Sequence, residues 1–199
     1  MRKQLVLCSY KNDVSWCSEV IGFDIVVYEK GGIKQDIAQA NVGREHYTYT
    51  KHIVDNYENL ADLIVFSQAN PFDHQSEFIL MLNALPENTK FEAFGNLYIN
   101  SDRYGMPCTA SWIGGIPMER VYRELFNTPY PNVIACYANS IFAASKQRII
   151  KHSKEFYEKM LRMIDYEHTP VEVFCLERFW HIIMSEHQIC PKRKVWWNG

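Results

Sequence analysis

The sequence has no apolar run that approaches the length needed to cross a lipid bilayer. It also lacks two glycine-rich phosphate motifs, the GxGxxG of dinucleotide-binding domains and the GxxxxGKS or GxxxxGKT of P-loop enzymes. None of its six cysteines forms a CxxC pair, which argues against a zinc knuckle or a thioredoxin-like site. Excess positive charge is absent too. The formal net charge of −2 argues against a protein that binds nucleic acid by neutralising phosphates.

What is present is the composition of one folded, soluble domain: 199 residues, of which 47% are hydrophobic and 22% charged. The first residues are basic and precede an apolar run, but that run is too short for a signal peptide and no small-residue cleavage site follows. We therefore expect a first strand there and a cytoplasmic location. We expect residues 1–190 to form the domain, and the basic, aromatic residues 191–199 to be a tail or a linker to a further module.

Three cysteines, Cys8, Cys136 and Cys175, lie inside apolar runs, where cysteine behaves as a small buried hydrophobic residue. We expect reduced thiols with no catalytic role. A catalytic Cys–His pair stays open as an alternative, but no sequence feature supports it.

Apolar runs typical of buried strands alternate with amphipathic segments in the first half of the chain. Strands are predicted in QLVLCS, FDIVVYEKGG and ADLIVFSQ, and helices in NDVSWCSEVIG, GREHYTYTKHIVDNYENL and DHQSEFILMLNAL. The second half is less regular, with strands in KFEAFGNLYI and NVIACYANSIFAAS, a loop over residues 100–117, and helices in MERVYRELF, KQRIIKHSKEFYEKMLRMID (one long or two short) and VEVFCLERFWHIIMSEH. This alternation predicts an α/β domain with a mainly parallel central sheet.

Polar side chains follow three of the predicted strands. The clusters are Ser9, Tyr10, Lys11, Asn12 and Asp13 after the first strand, Tyr28 to Lys30 after the second, and Gln68, Asn70, Asp73 and His74 after the third. In an open α/β sheet ligands bind beyond the carboxyl ends of the strands, so these clusters predict the wall of a binding crevice. The competing interpretation is that loops are polar anyway and that Asp73 caps the next helix.

A further motif, Asn41-Val42-Gly43-Arg44, stands where the next helix is predicted to begin. Free backbone N–H groups at a helix start attract anions, and an arginine fork suits phosphate oxygens. The motif therefore favours a diphosphate ligand, although by itself it is not specific.

The segments NVGRE, LADLIVFSQANPFDH and FCLERFWHIIM together resemble a protein family, domain of unknown function 3431. Its members show a Tyr-Asn-Glu-Asp-like stretch after the first strand, matched here by Tyr10 to Asp13, and the resemblance runs from Leu5 to about Met184. That family is similar to glycosyltransferases of the A-type fold. The resemblance thus implies a single Rossmann-like domain for a nucleotide-sugar donor, with a mainly parallel central sheet and helices on both faces.

In the large family 2 of those enzymes an Asn-x-Gly motif precedes a helix, which Asn41 and Gly43 match. A strand there ends in Asp-x-Asp, whose carboxylates hold a divalent cation, but Gln68-Ala69-Asn70 stands at that position here. Amide oxygens hold Mg²⁺ or Mn²⁺ more weakly than carboxylates. The resemblance therefore leaves Asp73, His74 and Asn70 as the expected metal ligands, and metal dependence open.

Such enzymes also carry a carboxylate near the start of a late helix that deprotonates the acceptor hydroxyl. The matching residues are Glu177, as the base, and Arg178 beside it. The competing interpretation is that Glu177 pairs with Arg178 or His181 on a solvated face.

These resemblances imply a glycosyltransferase that moves a hexose from a nucleotide-diphosphate sugar, such as UDP-glucose, to a hydroxyl of a glycan or glycoconjugate with inversion. Ser9 to Asp13 and Tyr28 to Lys30 would hold the nucleoside, and Asn41 to Arg44 the diphosphate. One alternative is a non-catalytic nucleotide-sugar or carbohydrate-binding domain of the same fold. Another, a Rossmann-like methyltransferase, lacks its glycine loop and would need to bind S-adenosylmethionine.

Overall fold

A computed structural model describes residues 1–32, 37–94, 98–102, 115–131, 133–137 and 139–185. The strands are β1 Lys3–Ser9, β2 Asp24–Glu29, β3 Ile37–Ala38, β4 Leu63–Gln68, β5 Phe91–Ala93, β6 Tyr98–Asp102, β7 Val133–Tyr137 and β8 Phe142–Ser145. The helices are α1 Arg44–Asn56, α2 Phe78–Asn83, α3 Met118–Phe126, α4 Lys146–Ile149, α5 Lys154–Arg162 and α6 Glu172–Met184, with short 3₁₀ turns at Ser15–Glu19 and Tyr57–Asn59. The fold is therefore mixed α/β, as the alternation predicted.

Six strands form one sheet in the order β3-β2-β1-β4-β8-β5, and β6 and β7 pair separately. The first four strands are parallel, with β1 between β2 and β4. The prediction of a mainly parallel sheet is thus confirmed, but β8 runs antiparallel to both β4 and β5 and makes the sheet mixed. The segment NVIACYANSIFAAS, predicted to be strand-like, contains two strands, β7 and β8, because the chain turns at Asn139, whose φ is 74°.

Strand alternation directs apolar side chains to two hydrophobic clusters, one on each face of the sheet. Val6 belongs to the cluster that includes residues of α1, α3, α5 and α6, whereas Leu5 and Leu7 belong to the cluster that includes Phe78 and Leu82 of α2. Helices therefore cover both faces. Full burial of a side chain such as Phe66, which is 0% exposed, stabilises the fold by about 1.5–3 kcal/mol.

Two predicted helices are shorter than expected. After β1 the chain forms only the 3₁₀ turn Ser15–Glu19, and α2 begins at Phe78 with Glu77 as its N-cap. Asp73 therefore does not cap that helix, and the competing interpretation of Asp73 is wrong. The segment KQRIIKHSKEFYEKMLRMID forms two helices, α4 and α5, rather than one.

The last helix, α6, agrees with its sequence pattern. Leu176, Phe179, Trp180 and Ile183, which recur at helical spacing in its sequence, are each at most 2% exposed. None of the helices in the described part of the chain is long and apolar enough to span a membrane. The loop predicted over residues 100–117 starts later than expected, because β6 extends to Asp102. Residues 103–114 of that loop and the predicted tail at residues 191–199 lie outside the described residues.

Candidate functional site at the carboxyl edge of the sheet

The strand order creates a divergence between β1 and β4. The chain moves outward from β1 to β2 and β3, then returns to place β4 on the other side of β1. Two backbone hydrogen bonds continue the ladder past the strand ends, Lys30 N to Ser9 O and Ala69 N to Cys8 O, both at 2.9 Å. The three predicted polar clusters therefore lie along one edge, at the kind of position where open α/β sheets bind ligands.

Glu29 organises the loop that follows β1. Its side chain is 1% exposed; Oε2 accepts from Ser9 Oγ at 2.6 Å, and Oε1 accepts the N–H groups of Lys11 at 3.0 Å and Gly31 at 2.6 Å. Burial alone would raise the pKa of this carboxyl, but the hydrogen bonds from Ser9, Lys11 and Gly31 outweigh it and hold the pKa below its usual range. The Ser9 hydroxyl is thus occupied inside the protein, which corrects its expected contact with the nucleoside.

The remaining residues of the first cluster are exposed. Asn12 Oδ1 accepts the N–H of Tyr10 at 3.0 Å, and Asp13 accepts both the N–H and the hydroxyl of Ser15. Tyr10 is 53% exposed, and the Lys11 ammonium lies 5.5 Å from the centre of its ring. Tyr10 and Lys11 are therefore the members of this cluster whose side chains are open to a ligand.

Tyr28 and Lys30 do not line the edge as expected, because both side chains point into the protein. The Tyr28 hydroxyl lies 2.9 Å from His52 Nδ1, and burial raises the pKa of this phenol to about 12. Lys30 is 7% exposed and donates from Nζ to Val42 O at 2.6 Å and to Arg44 O. Burial lowers the pKa of the Lys30 ammonium, which binds backbone carbonyls rather than facing solvent at the sheet edge.

The turn before α1 is tightly fixed. Gly43 and Arg44 have φ of 58° and 49°, and a Cβ on Gly43 would lie 2.7 Å from Ile164 O, so this position requires glycine. The N–H of Gly43 donates to Glu167 O at 2.9 Å and that of Arg44 to His168 O at 3.2 Å. These two amide groups are not free, which corrects the expected basis for anion binding. What is open to an anion is the Arg44 side chain, 45% exposed, together with the exposed Asn41.

Beyond β4 the chain folds back on itself. Gln68 Nε2 donates to Asn70 O at 2.7 Å, and Asn70 Nδ2 donates to Asp73 Oδ2 at 2.9 Å. A turn at Pro71, whose carbonyl accepts the N–H of His74 at 3.0 Å, returns the exposed Asp73 carboxylate toward the strand end. The indole of Trp16 donates to Ala69 O at 3.0 Å and joins this turn to the β1 loop.

The fit of a divalent cation to this turn is poor. No group of three or more His, Cys, Asp or Glu side chains that could hold a metal ion occurs among the residues that the structure describes. Asp73 is the one carboxylate of the expected ligand set, and the Asn70 amide nitrogen already faces it. The turn does not form a resident metal site by itself, so any cation here would need oxygen ligands from a bound molecule.

Glu177 reaches the same edge from α6. Its Oε1 accepts the N–H of Asn139 at 2.9 Å, and Asn139 lies just before β8, whose first residue Phe142 pairs with Phe66 near the end of β4. Arg178 is 4% exposed and donates to Phe174 O at 2.6 Å, with Nη1 3.7 Å from Glu177 Oε2. Arg178 therefore pairs with Glu177 from inside the protein, so the competing interpretation is right about this ion pair but not about a solvated face.

A series of polar contacts that sequence patterns did not reveal connects Trp180 of α6 to residues at the start of α1. The Trp180 indole donates to His46 Nδ1 at 2.9 Å, so the neutral His46 carries its proton on Nε2, which lies 3.5 Å from Glu45 Oε1. The other Glu45 oxygen lies 3.5 Å from Arg44 Nε. Burial lowers the pKa of His46, although the negative charges of Glu45 and Glu177 oppose this. The charges of Glu177 and Arg44 therefore both act on His46.

Strained backbone collects at this edge. Among the described residues other than glycine, positive φ occurs at Lys11, Arg44, Asn127 and Asn139. Asn127 is an ordinary left-handed C-cap of α3, whereas the other three lie at the carboxyl edge of the sheet. Residues held in such conformations cluster at functional sites, where surrounding contacts enforce them.

The thiols near this region do not support the Cys–His alternative. Burial raises the pKa of Cys8 and Cys17 to about 11 and that of Cys175 to about 12. These thiols stay protonated at neutral pH and are poor nucleophiles.

A model of the protein family described as Protein of unknown function (DUF3431) matches residues 5–198 of the chain. No curated protein and no solved structure matches the chain. The family match confirms the resemblance to DUF3431 that the separated motifs indicated, and it extends beyond Met184. It does not test the similarity to glycosyltransferases. It carries no information on activity.

Proposed function

This chain belongs to the DUF3431 family, and we propose that it is a glycosyltransferase of the A-type fold. It moves a hexose from a nucleotide-diphosphate sugar, with a UDP-sugar favoured, to a hydroxyl of a glycan or glycoconjugate, and inverts the anomeric centre. The observation that carries this proposal is that Glu177 and the exposed cations Lys11 and Arg44 lie at the same edge of the sheet. The hydrogen bond to Asn139 holds Glu177 beside the end of β4, while Lys11 and Arg44 flank the end of β2.

In this mechanism the cations and the carboxylate have separate roles. Lys11 and Arg44 bind the diphosphate and stabilise the negative charge that grows on it as it leaves. Glu177 accepts the proton of the acceptor hydroxyl while that oxygen attacks the anomeric carbon. The bond between the anomeric carbon and the phosphate oxygen breaks, and its electron pair leaves with the nucleoside diphosphate.

The exposed Tyr10, with Asn41, Gln68 and Asn70 along the same edge, supplies surface for the nucleoside and the sugar. A divalent cation would supply charge neutralisation at the diphosphate. Asp73 is the residue that would hold it, with phosphate and water oxygens completing its coordination.

The departure from Asp-x-Asp favours a second candidate, a non-catalytic nucleotide-sugar or carbohydrate binder. A panel of UDP-, GDP- and dTDP-hexoses separates the two functions. An enzyme slowly releases nucleoside diphosphate from at least one of them, with water as acceptor. A binder is stabilised thermally by a sugar nucleotide but releases nothing. Thermal stabilisation by S-adenosylmethionine instead would favour the methyltransferase alternative.

A further inference from the structure

Two consecutive charged residues at the end of β2, Glu29 and Lys30, are almost completely buried, at 1% and 7% exposure. Burying an ionised side chain is unfavourable unless hydrogen bonds compensate it. Here the compensating partners are largely backbone groups of two loops, one on each side of β2.

Glu29 holds the loop of Lys11. Its Oε1 accepts the Lys11 N–H at 3.0 Å, where the Lys11 backbone has φ of 58°. The Lys11 side chain is placed as well, because its stem lies across Gly31. A Cβ on Gly31 would overlap Lys11 Cγ and would lie 2.7 Å from Glu29 Oε1.

Lys30 holds the turn of Arg44. Its ammonium donates to the carbonyls of Val42 and Arg44, which bracket Gly43. The Arg44 backbone, with φ of 49°, is therefore fixed through its carbonyl by Lys30 and through its N–H by His168 O. The Arg44 side chain has a partner too, because Glu45 Oε2 lies 3.5 Å from Arg44 Nε.

The two held residues share an unusual combination of properties. Both are exposed cations with left-handed backbone, a conformation that costs about 1–3 kcal/mol and persists only where the surroundings enforce it. Since the sheet order is β3-β2-β1, Lys11 after β1 and Arg44 after β3 lie on opposite flanks of the end of β2. A diphosphate offers one phosphate group to each of two separately anchored cations.

We propose that Glu29 and Lys30 are positioning residues that clamp the backbones of Lys11 and Arg44, so that these two side chains form a two-pronged receptor for a diphosphate. The inference rests on the proposed function, since it deepens the donor site of that enzyme. Neither Glu29 nor Lys30 touches the ligand.

A double-mutant cycle tests the Lys30 arm. Calorimetric titrations with inorganic pyrophosphate, UDP and uridine are made on the parent, Lys30→Met, Arg44→Ala and the double variant. Lys30→Met weakens pyrophosphate and UDP binding about tenfold and leaves uridine binding unchanged. In the Arg44→Ala background the same substitution changes pyrophosphate binding less than about twofold, because its effect passes through Arg44. Lys51→Met, which removes a half-exposed lysine farther along α1, is the control for loss of a positive charge.

A second cycle tests the Glu29 arm and starts from a substitution that changes no charged group. Gly31→Ala displaces the Lys11 stem, and Gly31 does not have positive φ, so alanine fits its backbone. Gly31→Ala weakens pyrophosphate binding several-fold in the parent and has no further effect in Lys11→Ala. This cycle keeps the proposal falsifiable if Lys30→Met fails to fold.

The outcomes separate the two claims. A parent that binds pyrophosphate and UDP, with variant effects that are fully additive or absent, overturns the clamp and leaves the proposed function standing. A parent that binds neither ligand overturns the donor site and the clamp together.

Discussion

Glu177 in α6 and Asn139 in the connection before β8 are joined by a hydrogen bond of 2.9 Å from the Asn139 N–H to the carboxylate Oε1. The donor is a backbone group of a residue with φ of 74°, so the position of the carboxylate depends on a strained turn. This contact brings a residue of the last described helix to the edge where β1, β2 and β4 end, which is what a base for the acceptor hydroxyl requires.

The first prediction concerns Glu177. Glu177→Gln keeps an oxygen for the Asn139 N–H but cannot accept a proton, so we expect sugar transfer or sugar-nucleotide hydrolysis to fall about 10²–10⁴-fold. Binding of UDP changes less than about twofold. Rates of nucleoside diphosphate release, with Glu124→Gln on the exposed face of α3 as control, check this. Unchanged release rates would show that Glu177 is not the base.

The second prediction concerns Arg44, for which two truncations separate charge from strain. Arg44→Ala and Arg44→Gly both remove the guanidinium, and each should weaken UDP binding about ten- to a hundredfold. Only glycine relieves the φ of 49°, so Arg44→Gly should be more stable than Arg44→Ala by about 1 kcal/mol. Calorimetry and urea unfolding measure the two effects. Equal UDP affinity in parent and variants would reject a diphosphate contact.

The third prediction concerns Asp73. Its carboxylate already folds back toward the end of β4, so a cation that arrives with a nucleotide would meet it there. We expect Mn²⁺ to strengthen UDP binding to the parent and to have no such effect on Asp73→Asn. The fold should be unaffected, because Asp73 does not cap α2.

Titrations of UDP with and without Mn²⁺ decide this, and Asp55→Asn, on the exposed face of α1, serves as the control. The same Mn²⁺ enhancement in Asp73→Asn as in the parent would mean that Asp73 is not a ligand.

The fourth prediction concerns acid stability. Burial lowers the pKa of His181, which is 3% exposed, to about 4, whereas the unfolded chain has a histidine pKa of about 6.5. The unfolded state therefore binds more protons below pH 6.5, and stability falls as the pH drops from about 6.5 toward 4. Between pH 7 and pH 5 this histidine alone should lower the free energy of unfolding by about 2 kcal/mol.

His52, whose pKa burial also lowers to about 4, adds to the same slope. Urea unfolding at pH 7 and pH 5 should show a smaller loss in His181→Leu than in the parent. If the two proteins lose the same free energy, His181 is not buried in its neutral form.

Three of the four parallel strands, β1, β2 and β4, were predictable because their signals are local. Each of β1, β2 and β4 is an apolar run that ends in polar residues, and α3 covers the same nine residues, MERVYRELF, that the pattern indicated. The direction of β8 was not predictable. A short apolar segment such as Phe142–Ser145 has the same pattern whether it pairs parallel or antiparallel.

The position of the polar clusters at one sheet edge was predictable, but their contacts were not. Tyr28 and Lys30 end a predicted strand, where sequence does not show which side chains turn inward. The partners of Lys30 are carbonyl groups, which leave no mark in the pattern of side chains. The same holds for Glu177, whose partner is a backbone N–H 38 residues away.

A crystal soak with UDP-glucose and Mn²⁺ shows directly where a sugar nucleotide binds. We predict the diphosphate within hydrogen-bond distance of Lys11 and Arg44, and the anomeric carbon on the side of the sheet edge where Glu177 lies. A nucleotide bound elsewhere on the protein, or a crystal that takes up none at saturating concentration, would contradict the proposed donor site.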